Sequence, residues 1–275
     1  MFAIAQGLLT AYEDRGAGPT VLLLHGLGAS GASFAGVARR LEGRYRLLVP
    51  DLMGHGRTDK PPGSYSPSAL ADHLCDLLRK LGVENVHGIV GHSLGGCVAV
   101  ELSARLVGLR RLCLVDPPPP AGAKLFAALA ALSGGARLAA FGSAFLPNRR
   151  LARLWLRFLF ADPSRLDERI LDHYARGADA RGSAAATVSA LGSMAKLSLP
   201  LESAPRTLLL WGAEDPIFPP STAAAWQRRL PLSELLVLPA VGHCPPEEAP
   251  AAVAAALLGF LPSSSAEATA SASPN

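Results

Sequence analysis

Charge is scarce in this 275-residue chain: 17% of its residues are Asp, Glu, Lys or Arg, and they balance to a net +4. So small an excess, with no basic array interleaved with aromatics, excludes the electrostatic footprint of a nucleic-acid binder. Cysteine is rare as well. Cys75, Cys97, Cys113 and Cys244 lie far apart without metal-ligand spacing, which fits reduced, mostly buried thiols better than a disulfide frame or a zinc site. The longest apolar stretch, 251–261, is too short to cross a bilayer, and residues 1–10 have neither a charged leader segment nor a long apolar core. A cytoplasmic location without a membrane span is the resulting expectation. Gly26-Leu27-Gly28 lacks the third glycine and the later acidic residue of a dinucleotide fingerprint, so no cofactor is expected.

What is present is a large apolar supply, 49% of the chain, arranged in short runs that alternate with longer amphipathic stretches. Runs at 21–24, 46–49, 86–90, 112–115, 207–211 and 235–238 are rich in Leu and Val, as parallel strands buried on both faces are. Residues 2–13 are expected to add an antiparallel edge. Between the runs, 31–42, 68–81, 94–107, 221–229 and 247–261 have the composition of crossover helices, and the whole pattern predicts an α/β sheet covered on both faces. The alternation stops at Asp116, where four prolines open a stretch of Ala, Leu and Arg in helical spacing without a strand signal. The resulting division is a core of 1–116 and 206–261, a helical cap at 117–205, and a disordered tail at 262–275, which is polar and has no apolar anchor.

The sharpest local feature is Gly91-His92-Ser93-Leu94-Gly95-Gly96, directly after an apolar run and before a helical stretch. Glycines on either side of Ser93 suit a tight strand-to-helix turn, and the first N–H groups of the helix point at any oxyanion formed beside the serine. A serine hydroxyl needs a base to take its proton. His243, in the turn after the last predicted strand, is the candidate, and an acid should hold its tautomer.

Together with His25-Gly26-Leu27-Gly28, the segment 51–58 (Asp-Leu-Met-Gly-His-Gly-Arg-Thr), Trp211-Gly212-Ala213-Glu214-Asp215 and Gly242-His243, this order resembles the α/β-hydrolase fold, in particular its capped serine esterases and haloperoxidase-like members. The resemblance covers about residues 7–261. It implies an eight-stranded, mostly parallel sheet with the cap inserted after the sixth strand. It also implies Asp215 as the acid, with Asp116 as its rival at the end of an earlier strand, and backbone N–H groups of Leu27 and Leu94 as the oxyanion hole. Asp51 and His55 are too few for a metal site and read as a braced loop, so no metal is expected. His25 is read as a structural residue bonding its loop.

The expected substrate pocket draws on Phe34 and His92 and on apolar cap residues such as Phe141 and Trp155, with packing roles as the alternative for each. Segment 117–204 has eleven Lys or Arg against six Asp or Glu, so the positive excess sits on the cap. Arg149, Arg150, Arg153 and Arg157 recur at helical spacing, which describes either a solvated face or one that attracts an anionic substrate or an acyl-carrier partner. The chemistry expected is cofactor-independent cleavage of small or medium carboxylic esters through an acyl-enzyme on Ser93. Transfer to another acceptor or a thioester substrate is the alternative. Carbon–carbon hydrolysis fits less well, because that activity in this fold pairs with Asn before the serine and Trp soon after the histidine, where this chain has His92 and Pro245-Pro246. A non-catalytic binding protein of the same fold is the remaining, least favoured reading.

Overall fold

Alternate residues of each buried strand face opposite sides, and the sheet is built on that period. A computed structural model describes residues 1–120, 149–179, 182–193 and 205–261. Its eight strands are β1 (Phe2–Ala5), β2 (Leu8–Arg15), β3 (Thr20–Leu24), β4 (Arg46–Pro50), β5 (Gly88–His92), β6 (Arg111–Val115), β7 (Arg206–Gly212) and β8 (Ser233–Leu238). They lie in the order β1-β2-β4-β3-β5-β6-β7-β8. The first two strands pair antiparallel, with each other and with β4, and all other neighbours pair parallel.

Among the described residues the helices are α1 (Ala35–Leu41), α2 (Pro67–Lys80), α3 (Leu94–Ser103), α4 (Arg149–Leu159), α5 (Glu168–Asp179), α6 (Ser183–Ser193), α7 (Ala223–Gln227), α8 (Pro245–Glu248) and α9 (Pro250–Phe260). On one face of the sheet Leu22, Leu24, Ile89, Leu112 and Leu114 join a cluster with buried residues of α2 and α3. On the other, Val21, Leu23, Val90, Cys113 and Val115 pack with α1 and α9. Strands apolar at every position are what two covered faces require. The last strand differs, since Leu235, Leu236 and Val237 at the sheet edge are partly exposed.

Several expected boundaries shift for identifiable reasons. The strand expected at 86–90 runs to His92, because Gly91 and His92 continue the ladder against Leu114 and Val115 and so deliver Ser93 to the carboxyl end of the sheet. The helix expected at 247–261 divides before Pro250, which has no N–H to continue the α8 ladder and instead opens α9. Residues 31–34 form a 3₁₀ turn ahead of α1, and α3 stops at Ser103 rather than 107. Helices α4, α5 and α6 occupy part of the insertion between β6 and β7. Residues 121–148 and 194–204, and the tail expected to be disordered, lie outside the described residues. No described helix is long and apolar enough to cross a membrane.

Candidate active site

Ser93 is the hinge between β5 and α3. Its backbone has φ +50° and ψ −115°, a region costly for a residue with a side chain, of order 1–3 kcal/mol. The surroundings hold it there: its N–H donates to Val115 O at 2.9 Å, and the N–H of Gly96 donates to its carbonyl at 2.9 Å. A Cβ at Gly95 would run into the carbonyl oxygen of Leu24, so glycine is required for α3 to start this close to β3.

His243 sits between β8 and α8, with its ring turned back over the sheet end. Its Nε2 lies 3.2 Å from Ser93 Oγ, and its Nδ1 lies 2.7 Å from Asp215 Oδ2. With the carboxylate accepting from Nδ1–H, Nε2 presents its lone pair to the serine hydroxyl. Asp215 is held by its own loop: its Oδ1 accepts the N–H groups of Ile217 at 2.7 Å and Phe218 at 3.0 Å. All three side chains are nearly buried. The rival Asp116 is fully buried but does not bond His243. Its Oδ1 accepts from Gly212 N–H at 2.9 Å, and its Oδ2 has no partner among the described residues. Burial first, then the charge of Asp215, pushes the Asp116 carboxyl well above the usual carboxylate range.

The loop after β3 lies against the elbow. A side chain at Gly26 would crowd His92 Nδ1 at 3.0 Å and Ser93 Cβ at 3.3 Å. The N–H groups of Leu27 and Leu94 donate to no acceptor among the described residues. His25 shapes this loop: Leu52 N–H donates to its Nε2 at 2.9 Å, which leaves Nδ1–H to donate to Gly26 O at 2.8 Å. Burial lowers its pKa to about 4, so the ring is neutral near pH 7.

His92 is buried beside the base. Its Nε2–H donates to the carbonyl of His243 at 2.6 Å, and burial, reinforced by His243, lowers its pKa to about 4. The fully buried ring of Phe34 packs with Val37 and Leu41 in the core under α1. Trp155 is half-buried, packed against the small cluster of α4 and α5 with its ring 5.6 Å from Phe158, while Leu154 and Phe158 are exposed. Phe141 lies outside the described residues.

Asp51 braces its loop, with Oδ1 accepting Gly31 N–H and Oδ2 accepting Arg57 N–H, both at 2.8 Å, and the Arg57 guanidinium 3.6 Å away. His92, Asp116 and His243 offer donor atoms within 4.8 Å of one another. A metal there would have to displace one of the bonds that the His243 nitrogens already make to Asp215 and Ser93. On the cap, Arg149 pairs with Glu168 and with Asp172 at 2.8 Å, and Arg153 pairs with Glu168 at 2.6 Å, so part of that basic face is neutralised by α5. Sequence reasoning gave no site role to Glu247 and Glu248, whose carboxyls are buried beside the His243 loop. The available signal was two adjacent acids in an otherwise apolar, proline-rich turn.

Comparison with known proteins agrees with this geometry. A family model described as the alpha/beta hydrolase family matches residues 21–256. Lipase 1 of Psychrobacter immobilis is 28% identical over 257 residues, covering 90% of this chain and 78% of the lipase. An uncharacterized Mycobacterium tuberculosis protein is 42% identical over 116 residues, covering 42% of this chain and 34% of the relative, so the shared segment spans about a third of that relative's length. Among solved structures, a thermophilic esterase from Thermogutta terrifontis superposes with TM-score 0.77 at 26% identity, covering 95% of this chain and 97% of the esterase. A serine hydrolase of carbazole degradation superposes with TM-score 0.80 at 23% identity, covering 95% and 97%. With its sheet order, its elbow and a family match over most of its length, the chain belongs to the alpha/beta hydrolase family.

Proposed function

We propose that the protein is a cofactor-independent serine hydrolase of carboxylic esters, with Ser93 as nucleophile, His243 as base and Asp215 as the acid that fixes the base. The observation carrying this reading is the continuous hydrogen-bonded line Ser93 Oγ, His243 Nε2, His243 Nδ1, Asp215 Oδ2 at 3.2 and 2.7 Å. As the serine oxygen attacks the ester carbonyl, Nε2 takes its proton, and the resulting imidazolium is stabilised by Asp215. The carbonyl oxygen gains negative charge between the N–H groups of Leu27 and Leu94, and a donor in such a position is worth about 3 kcal/mol of barrier. Nε2–H then protonates the departing alkoxide. Water, deprotonated by the same nitrogen, cleaves the acyl-serine and regenerates the enzyme.

Ester cleavage is favoured over carbon–carbon cleavage by the position before the nucleophile, where the buried His92 ring is committed to the His243 carbonyl. The test is labelling of folded protein with a fluorophosphonate, alongside turnover of p-nitrophenyl esters of graded chain length. Wild type should label and turn over, and Ser93→Ala should do neither, with kcat lower by at least about 10⁴-fold. Unlabelled wild type would overturn the reading in favour of a binding protein.

A further inference from the structure

The segment 240–248, which carries His243, is held from two sides, by the core, where Glu214 N–H donates to Val241 O at 2.9 Å, and by the insertion between β6 and β7. On the core side His92 Nε2–H donates to His243 O at 2.6 Å. On the other side His243 N–H donates to Leu159 O, the last residue of α4, at 2.8 Å. Arg165 reaches Ala240 O at 3.3 Å. The Glu248 carboxyl has no exposed surface, and each of its oxygens accepts one backbone N–H. Oε2 takes that of Gly242, beside the histidine, at 2.7 Å, and Oε1 takes that of Asp162, just beyond α4, at 2.8 Å. One side chain therefore joins the histidine loop directly to the insertion.

Glu247 makes a second link. Its side chain is 3% exposed, with Oε1 2.9 Å from His173 Nε2 and Oε2 accepting from Tyr174 Oη at 3.1 Å, both on α5. His173 continues through Nδ1 to Ser30 Oγ at 3.2 Å, three residues beyond Leu27 in the loop after β3. Burial beside Glu247 pushes the Tyr174 hydroxyl up, so it stays a donor. Burying two adjacent carboxyls is costly unless every oxygen is satisfied, and here all four are. For stability alone, apolar residues of similar volume would serve as well.

We propose that Glu247 and Glu248 are positioning residues through which α4 and α5 set the place of the base, so that His243 lines up on Ser93 only while the insertion is docked. This rests on the serine-hydrolase reading. A purely architectural role makes a different prediction. If the glutamates only dock the insertion over a pocket, their loss should raise KM for long esters and leave Ser93 as reactive as before toward small reagents. If they place the base, kcat should fall even for p-nitrophenyl acetate, whose acyl group is too small to need the insertion, with KM nearly constant.

The experiment compares Glu248→Gln, Glu247→Gln and Tyr174→Phe with wild type. It reads kcat and KM for p-nitrophenyl acetate, the rate of fluorophosphonate labelling at Ser93, and the thermal midpoint as a check of folding. Glutamine keeps the volume but puts an NH₂ where an N–H must be accepted, so Glu248→Gln should lose about 10- to 100-fold in kcat and in labelling rate, with KM within about twofold. Glu247→Gln should lose about 10-fold, and Tyr174→Phe, the variant least disruptive to folding, about 3-fold. Undiminished labelling in folded variants, or a loss confined to KM, would overturn the inference while leaving the hydrolase reading intact. Wild type that fails to label would remove both.

Discussion

At the scale of single residues, two buried aspartates stand near one histidine, and geometry separates their roles. Asp215 bonds His243 Nδ1 at 2.7 Å, while Asp116 spends one oxygen on Gly212 N–H and has no partner for the other among the described residues. Asp215→Asn should lower kcat by about 10⁴-fold, because the amide favours the wrong imidazole tautomer, and Asp116→Asn should change it by less than about fivefold. Initial rates on one ester decide between them. The same pair predicts a stability effect of opposite sense. A carboxyl whose pKa the fold raises weakens the fold progressively as pH rises above its unfolded value of about 4. Asp116→Asn should therefore raise the urea midpoint at pH 7, with the gain vanishing as pH approaches 4. A constant gain across that range would contradict a raised Asp116 pKa. The serine, the base and both acids were legible as residues, since each ends or follows a recognisable strand. Which carboxyl meets the imidazole was not, because that depends on side-chain direction at two neighbouring strand ends.

At the scale of elements, the elbow is where sequence and structure agree most closely. A tight strand-to-helix turn needs glycine on both sides, and the close approach of α3 to β3 leaves no space for a Cβ at Gly95. Gly95→Ala should cost at least about 3 kcal/mol, seen as a loss of soluble protein or a thermal midpoint several degrees lower. Elsewhere element boundaries moved where a single residue intervened, as at Pro250, or where ladder pairing carried β5 past its apolar run. Phe34 shows the limit of composition. An aromatic after the loop following β3 suits a pocket or a core equally, and only its side of the sheet, under α1, decides for the core.

At the scale of the whole molecule, the positive excess of the segment between β6 and β7 is partly cancelled where α4 meets α5, through Arg149 and Arg153 with Glu168 and Asp172. If this face steers an anionic acyl substrate, reversal of Arg157 to Glu should lower kcat/KM for a succinyl ester by about threefold at low salt and leave an acetyl ester unchanged, with the difference shrinking at 0.5 M salt in line with a Debye length of about 4 Å. Equal effects on both esters would mark the face as merely solvated. The apolar residues of α4 point the same way: Leu154 and Phe158 are exposed, so they serve neither the core nor an enclosed pocket.

Periodicity and motif order by themselves determined the alternation of strands and helices, the insertion after the sixth strand and the identity of the serine and histidine, because these follow from local sterics and from burial on two faces. Tertiary structure alone decided which carboxylate meets the His243 imidazole, that His92 bonds the loop carrying that ring, and that Glu247 and Glu248 tie the loop to a segment some eighty residues earlier in the chain. Those contacts join segments far apart in sequence, and a bond between distant segments leaves no periodic trace in either one.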